Sequence, residues 1–148
     1  MYEAKFDNAI KTLKTEGRYR KFINVERHKG MFPNATRREI KKKSEVVVWC
    51  SNDYLGMGQH PNVLKSMHEA IENSGAGSGG TRNIGGNTKY IEELEEEISL
   101  LHNKESGLVF SSCYAANEAA LSTFPKVLGK DMVYFSDSKN HASLIEGI

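Results

Sequence analysis

GLVFSSCYAANEAALSTF, residues 107–124, and MVYFSDSKNHASLIEGI, residues 132–148, decide the fold class of this chain. The apolar run Gly107 to Phe110 has the length and bounding residues of a short strand, and Ser112 opens a helix predicted to run to about Thr123. A second strand is predicted over Met132 to Phe135. A strand, a helical crossover of that length and another strand imply a parallel pair, and hence an α/β architecture.

Upstream, Phe6, Ile10 and Leu13 share one face of a helix over residues 2–16 that stops at Gly17. Tyr19, Phe22, Ile23 and Val25 precede turn chemistry at Gly30 and Pro33-Asn34. The run Val46-Val47-Val48-Trp49-Cys50 then predicts a strand. Val63, Leu64, Met67, Ala70 and Ile71 have helical spacing behind Pro61, which suits a first turn. GAGSGGTRNIGGNT, residues 75–88, holds six glycines in fourteen residues, which suits a backbone that must approach something closely. Asn87 or Thr88 caps the next helix, whose stripe Ile91, Leu94, Ile98 and Leu101 is expected to lie opposite the acids at 92, 93, 95, 96 and 97.

With 148 residues, 39% apolar and 26% charged, the chain reads as globular and soluble. Its 20 basic and 19 acidic side chains create no field that would recruit nucleic acid or an anionic membrane. The basic cluster Arg37 to Lys43 reads as a solvated hairpin or loop. Cys50 and Cys113 form neither a disulfide framework nor a metal-ligand spacing, which points to a reducing, intracellular setting. The opening MYEAKFDNAIKTLKTEGRYR lacks the apolar core of a signal peptide, and no apolar run is long enough to span a membrane. The chain stops at HASLIEGI without a C-cap signal, so it is expected to be a fragment cut inside a helix.

Two turns carry the candidate chemistry. Ser111 and Ser112 sit where a strand meets a helix, so they are either ordinary N-caps or part of an anion site made by free N–H groups and the helix dipole. Ser136, Asp137, Asn140 and His141 follow the next strand and would open on the same sheet edge. His141 is either an acid, base or stacking surface, or a histidine hydrogen-bonded near a helix start. Cys113 is either an activated thiol or a small apolar filler.

SNDYLGMGQHP at 51–61, GAGSGGTRNIGGNT at 75–88, LVFSSCYAANEAALST at 108–123 and SDSKNHASLIEGI at 136–148, in this order, closely resemble the α-oxoamine synthases. These are fold-type I pyridoxal-phosphate enzymes with an aspartate aminotransferase-like large domain. The resemblance covers essentially the whole chain, and EGRYRKFINVERHKGMFP at 16–33 resembles the branch that condenses glycine with succinyl-CoA at the entry to tetrapyrrole synthesis. It implies an N-terminal helix and β-hairpin segment over 1–50 and the first part of the cofactor-binding large domain over 51–148.

The resemblance also implies roles. Ser112, Cys113 and Tyr114 would hold the cofactor phosphate, His141 would stack on its ring, and Asn52 would lie near the cofactor and the glycine carboxylate, assisted by Tyr54. Arg20 would bind the succinyl carboxylate, completed by Thr81 and Asn83 with Ile84 lining the pocket, and Ser136 would contact substrate or cofactor. Arginine suits that task because its fork pairs with a carboxylate directionally. The Schiff-base lysine would lie beyond Ile148, so the fragment alone is expected to be inactive. A cytoplasmic homodimer is implied, and neither cysteine precedes a proline as in the heme-regulatory element of mitochondrial relatives. The alternatives are a sister synthase making 8-amino-7-oxononanoate or 2-amino-3-oxobutyrate, or a non-catalytic partner subunit.

Overall fold

The computed structural model describes residues 2–40, 42–129 and 131–148. The chain folds as two compact units, Met1–Gly75 and Ala76–Ile148.

The first unit opens with α1 (Tyr2–Thr15), which ends where Gly17 takes a φ of 68°. Three strands follow as an antiparallel meander: β1 (Asn24–Arg27), β2 (Asn34–Glu39) and β3 (Lys42–Val47). The register pairs Arg27 with Ala35 and Ala35 with Val46, which leaves Ala35 buried at 3% exposure. The basic cluster is therefore a hairpin, as its composition suggested, with Arg37 paired to Glu39 and Arg38 to Glu26. The strand expected over residues 46–50 is displaced toward the N-terminus and ends at Val47. The reason is tertiary: the last residue that finds a backbone partner beyond it is Val48, whose N–H donates to the Pro33 carbonyl at 2.9 Å. Trp49, left outside the sheet, is 90% exposed. A 3-10 turn (Met57–Gln59) leads into α2 (Pro61–Ser74), capped by His60, whose ring accepts from the Asn62 N–H.

The second unit begins in the glycine loop. Gly75 and Gly79 occupy positive φ, where a side chain would strain the backbone. A single π turn (Arg82–Gly86) follows, then α3 (Lys89–Leu101), α4 (Cys113–Leu128) and α5 (Ala142–Gly147). Thr88 takes the N-cap position of α3.

Residues 107–110 and 132–135 do not form the expected parallel pair; neither is part of a strand ladder. Their propensity makes them extended, but a ladder needs a neighbour at the right spacing, and each segment instead uses side chains. Val109 bonds to Glu95 and Arg82, and the Tyr134 hydroxyl donates to the Leu121 carbonyl. That last bond explains a further difference. α4 runs beyond Thr123 to Leu128 through Pro125, which lacks the N–H that would have reached Leu121, and Tyr134 satisfies the orphaned carbonyl.

The core of this unit is the seam between α4 and α5. Ser143 is fully buried and Gly147 lies against α4, where an added Cβ would meet Glu118 Cα at 3.0 Å.

Candidate active site

At the start of α4, Ser112 is extended and its Oγ accepts from the Ala115 N–H at 3.1 Å. Among the described residues, the N–H groups of Cys113 and Tyr114 have no partner, and both point along the positive end of a 16-residue helix. That donor set suits a phosphate, and Ser112, Cys113 and Tyr114 are all exposed to receive one.

His141 belongs to the same place. Its ring stands 6.2 Å from the Tyr114 ring at an interplanar angle of 72°. Behind it, His141 Nδ1 lies 2.8 Å from Ser143 Oγ and accepts from the Ser143 N–H at 3.1 Å, while Asn117 Nδ2 donates to Ser143 Oγ at 2.9 Å. The packing of α5 on α4 therefore brings Ser112, Cys113, Tyr114 and His141 together, a job the sequence reading had assigned to a parallel ladder. Ser136 is held in the preceding turn, its Oγ accepting from Asn140 Nδ2 at 3.0 Å.

Thr81, Asn83 and Ile84 ride on the π turn, where the Thr81 carbonyl accepts from the N–H groups of Ile84, Gly85 and Gly86. All three side chains are exposed. Asn83 and Ser111 line one open cavity of about 540 Å³ with Arg82, Asn87, Leu108 and Phe110. The substrate-loop candidate Asn83 and the anion-turn residue Ser111 thus share one concavity.

Within the first unit, Arg20 is exposed and free of ion pairs among the described residues, so its guanidinium is available to a carboxylate. Tyr54 is 84% exposed and lines a cavity of about 280 Å³ with Phe32, Val48 and Trp49. Asn52 is exposed beside it in the chain, and no hydrogen bond joins it to Arg20 or Tyr54 among the described residues.

Sequence reasoning passed over Arg82 and misplaced Glu95. Arg82 donates to both Glu95 oxygens, at 2.6 and 2.9 Å, and also to the Val109 carbonyl at 3.2 Å and Asn87 Oδ1 at 3.0 Å. Glu95 in turn accepts from the Val109 N–H at 2.7 Å. Its side chain is 16% exposed, so it does not lie with the other acids in solvent. The signal was there: Glu95 stands four residues after Ile91 and three before Ile98, on the same helical face as both.

Arg82, then the Val109 N–H, holds the Glu95 carboxyl at about 2, well below its usual 4.5. A depressed carboxylate stabilises the fold above its ordinary range and loses that contribution as pH falls from 4.5 through about 2. The Glu95 carboxyl carbon NMR signal is therefore expected to show no protonation at pH 4.5, and Arg82→Ala should bring its midpoint back up.

Among the described residues no helix is long and apolar enough to cross a membrane, and no cluster of three or more His, Cys, Asp or Glu side chains could hold a metal.

Residues 44–148 match the family model for aminotransferase class I and II. Over 148 residues the chain is 57% identical to 5-aminolevulinate synthase 1 of Cereibacter sphaeroides and 59% identical to 5-aminolevulinate synthase of Rhodobacter capsulatus. These alignments cover 99% of this chain and 36% of each relative, so the chain spans about a third of their length. Among solved structures, a serine palmitoyltransferase variant from S. paucimobilis with a bound PLP–myriocin aldimine superposes with a TM-score of 0.75 and 26% identity. That match covers 97% of this chain and 35% of the other. The unpaired α4 N-terminus with His141 beside it, the glycine loop and these similarities lead to one assignment: the chain belongs to the class I and II aminotransferase family, in its fold-type I architecture.

Proposed function

We propose that this chain is part of a 5-aminolevulinate synthase, which condenses glycine with succinyl-CoA to give 5-aminolevulinate, coenzyme A and carbon dioxide. The observation that carries the reading is the start of α4, where two unpartnered N–H groups and the Ser112 cap face the same side as His141. Pyridoxal 5'-phosphate bound there supplies an electron sink for the carbanion derived from glycine. The backbone at Cys113 and Tyr114 would hold its phosphate, with Ser112 completing the turn, and His141 would supply a flat face to its ring. Asn52 and Tyr54 orient the glycine portion, and Ser136 contacts substrate or cofactor. Arg20 supplies the cation for the acyl carboxylate, with the Thr81 hydroxyl and Asn83 amide adding directional bonds and Ile84 an apolar wall.

Residues 1–50 serve the substrate side and dimer contacts, and residues 51–148 open the cofactor-binding domain. A homodimer agrees with the apolar area the first unit leaves in water, including Phe22, Ile40 and Trp49, each at least 90% exposed. A cytoplasmic setting is part of this proposal.

Arg20→Leu in the full-length holoenzyme tests the substrate. Losing one charge-assisted pair, worth about 2 kcal/mol, should lower kcat/KM for succinyl-CoA roughly 30-fold while cofactor loading stays unchanged. Unchanged kinetics would refute the carboxylated acyl group and favour a sister synthase that takes an uncharged acyl-CoA.

A further inference from the structure

We propose that Arg82 and Glu95 form a clasp that positions the Thr81–Ile84 loop, and that selectivity for a carboxylated thioester depends on this pair. The inference rests on the reading of Thr81 and Asn83 as acyl-carboxylate ligands.

A cation flanked by two such residues invites the role of a ligand itself. Four of its five donors are already committed. Of the five N–H groups on a guanidinium, Arg82 spends two on the Glu95 carboxylate, one on Asn87 and a further bond on the Val109 carbonyl. Its side chain is 34% exposed, so the head group is half withdrawn from the cavity it borders.

The clasp joins three pieces of backbone. Arg82 is the first residue of the π turn, Glu95 lies midway along α3, and Val109 precedes the Ser111–Ser112 turn. The Val109 backbone is gripped from both sides, its N–H by Glu95 and its carbonyl by Arg82. Gly107 confirms how close the approach is, since an added Cβ would stand 2.7 Å from the Glu95 carbonyl oxygen. This bidentate pair therefore ties the Asn83 turn to the backbone that leads into the anion turn. A point charge cannot replace it: lysine lacks the planar fork, and glutamine lacks the second acceptor and the charge.

The test compares kcat/KM for succinyl-CoA and for butyryl-CoA, an uncharged acyl group of the same length, in the full-length holoenzyme. Arg82→Lys and Glu95→Gln should each lower the succinyl-to-butyryl ratio about tenfold, carried by the KM for succinyl-CoA, with cofactor absorbance unchanged. Glu95→Gln keeps an acceptor for the Val109 N–H, so this variant retains the local backbone even where Arg82→Lys loosens it. A merely structural pair would lower both thioesters equally, and that result, or an unmoved ratio, overturns the clasp. Asn83→Ala separates the two failures. If it shifts the ratio while the clasp variants do not, the acyl-site reading stands and the clasp is wrong; if none of the three shifts it, both fall.

Discussion

Replacing Gly86 by alanine is expected to abolish the proposed synthase activity of the full-length enzyme, whereas the same change one residue earlier should be tolerated. A Cβ at Gly86 would stand 1.8 Å from the Gly80 carbonyl oxygen and 2.5 Å from its carbon. Both are backbone atoms, so no side chain can swing aside. A Cβ at Gly85 meets nothing within 4 Å. Relief at Gly86 requires the π turn to open, and that would release the Gly86 N–H from the Thr81 carbonyl, a bond of 2.8 Å. Overpacking of this kind costs about 1–3 kcal/mol when side chains yield, and more when backbone must. The larger consequence is geometric, because Thr81, Asn83 and Ile84 would all move with the turn. Steady-state activity of the two variants, with circular dichroism to verify the fold, checks the contrast. Equal activity of both would mean that the turn is not held as described.

Ser143→Val is expected to destabilise the protein by about 3 kcal/mol, combining an unpaired amide donor on Asn117 with an extra carbon in a fully enclosed position. Ser143 has no exposed surface, and its hydroxyl lies between Asn117 Nδ2 and His141 Nδ1. Ser143→Ala removes only the hydroxyl and Ser143→Thr adds only the methyl, so the pair divides the two contributions. Denaturant unfolding of the three variants measures the total. Cofactor affinity should also fall in Ser143→Val and Ser143→Ala, because His141 loses the oxygen that fixes its ring. A valine variant as stable as the parent would show that the α4–α5 seam relaxes around the site.

Much of the local structure follows from residues that act through their own neighbours. Pro61 and His60 start α2, Gly17 stops α1, and the basic hairpin is legible from Arg37 to Lys43. Ser112 reads as a cap and serves as one. What failed involved partners distant in the chain. The Val46–Cys50 run has uniform strand propensity, yet its ladder ends at Val47, where antiparallel pairing to β2 ends. Residues 107–110 look like a strand but spend the Val109 backbone on Arg82 and Glu95. The helix opened by Ser112 was expected to end at about Thr123, and only the hydroxyl of Tyr134, nine residues after Pro125, explains why α4 continues through that proline.

The amino-acid order by itself determined helix starts, the glycine loop, the anion-ready turn at Ser112 and the family resemblance, because each depends on propensity, capping or motif spacing within a few residues. Tertiary structure alone decided that His141 meets Tyr114 through the α4–α5 seam, that Glu95 turns inward, and that Arg82 is occupied by it. The physical reason is that a charged side chain or an extended backbone has several equally good local solutions. Which one is adopted depends on the donors and acceptors that folding brings within hydrogen-bonding distance.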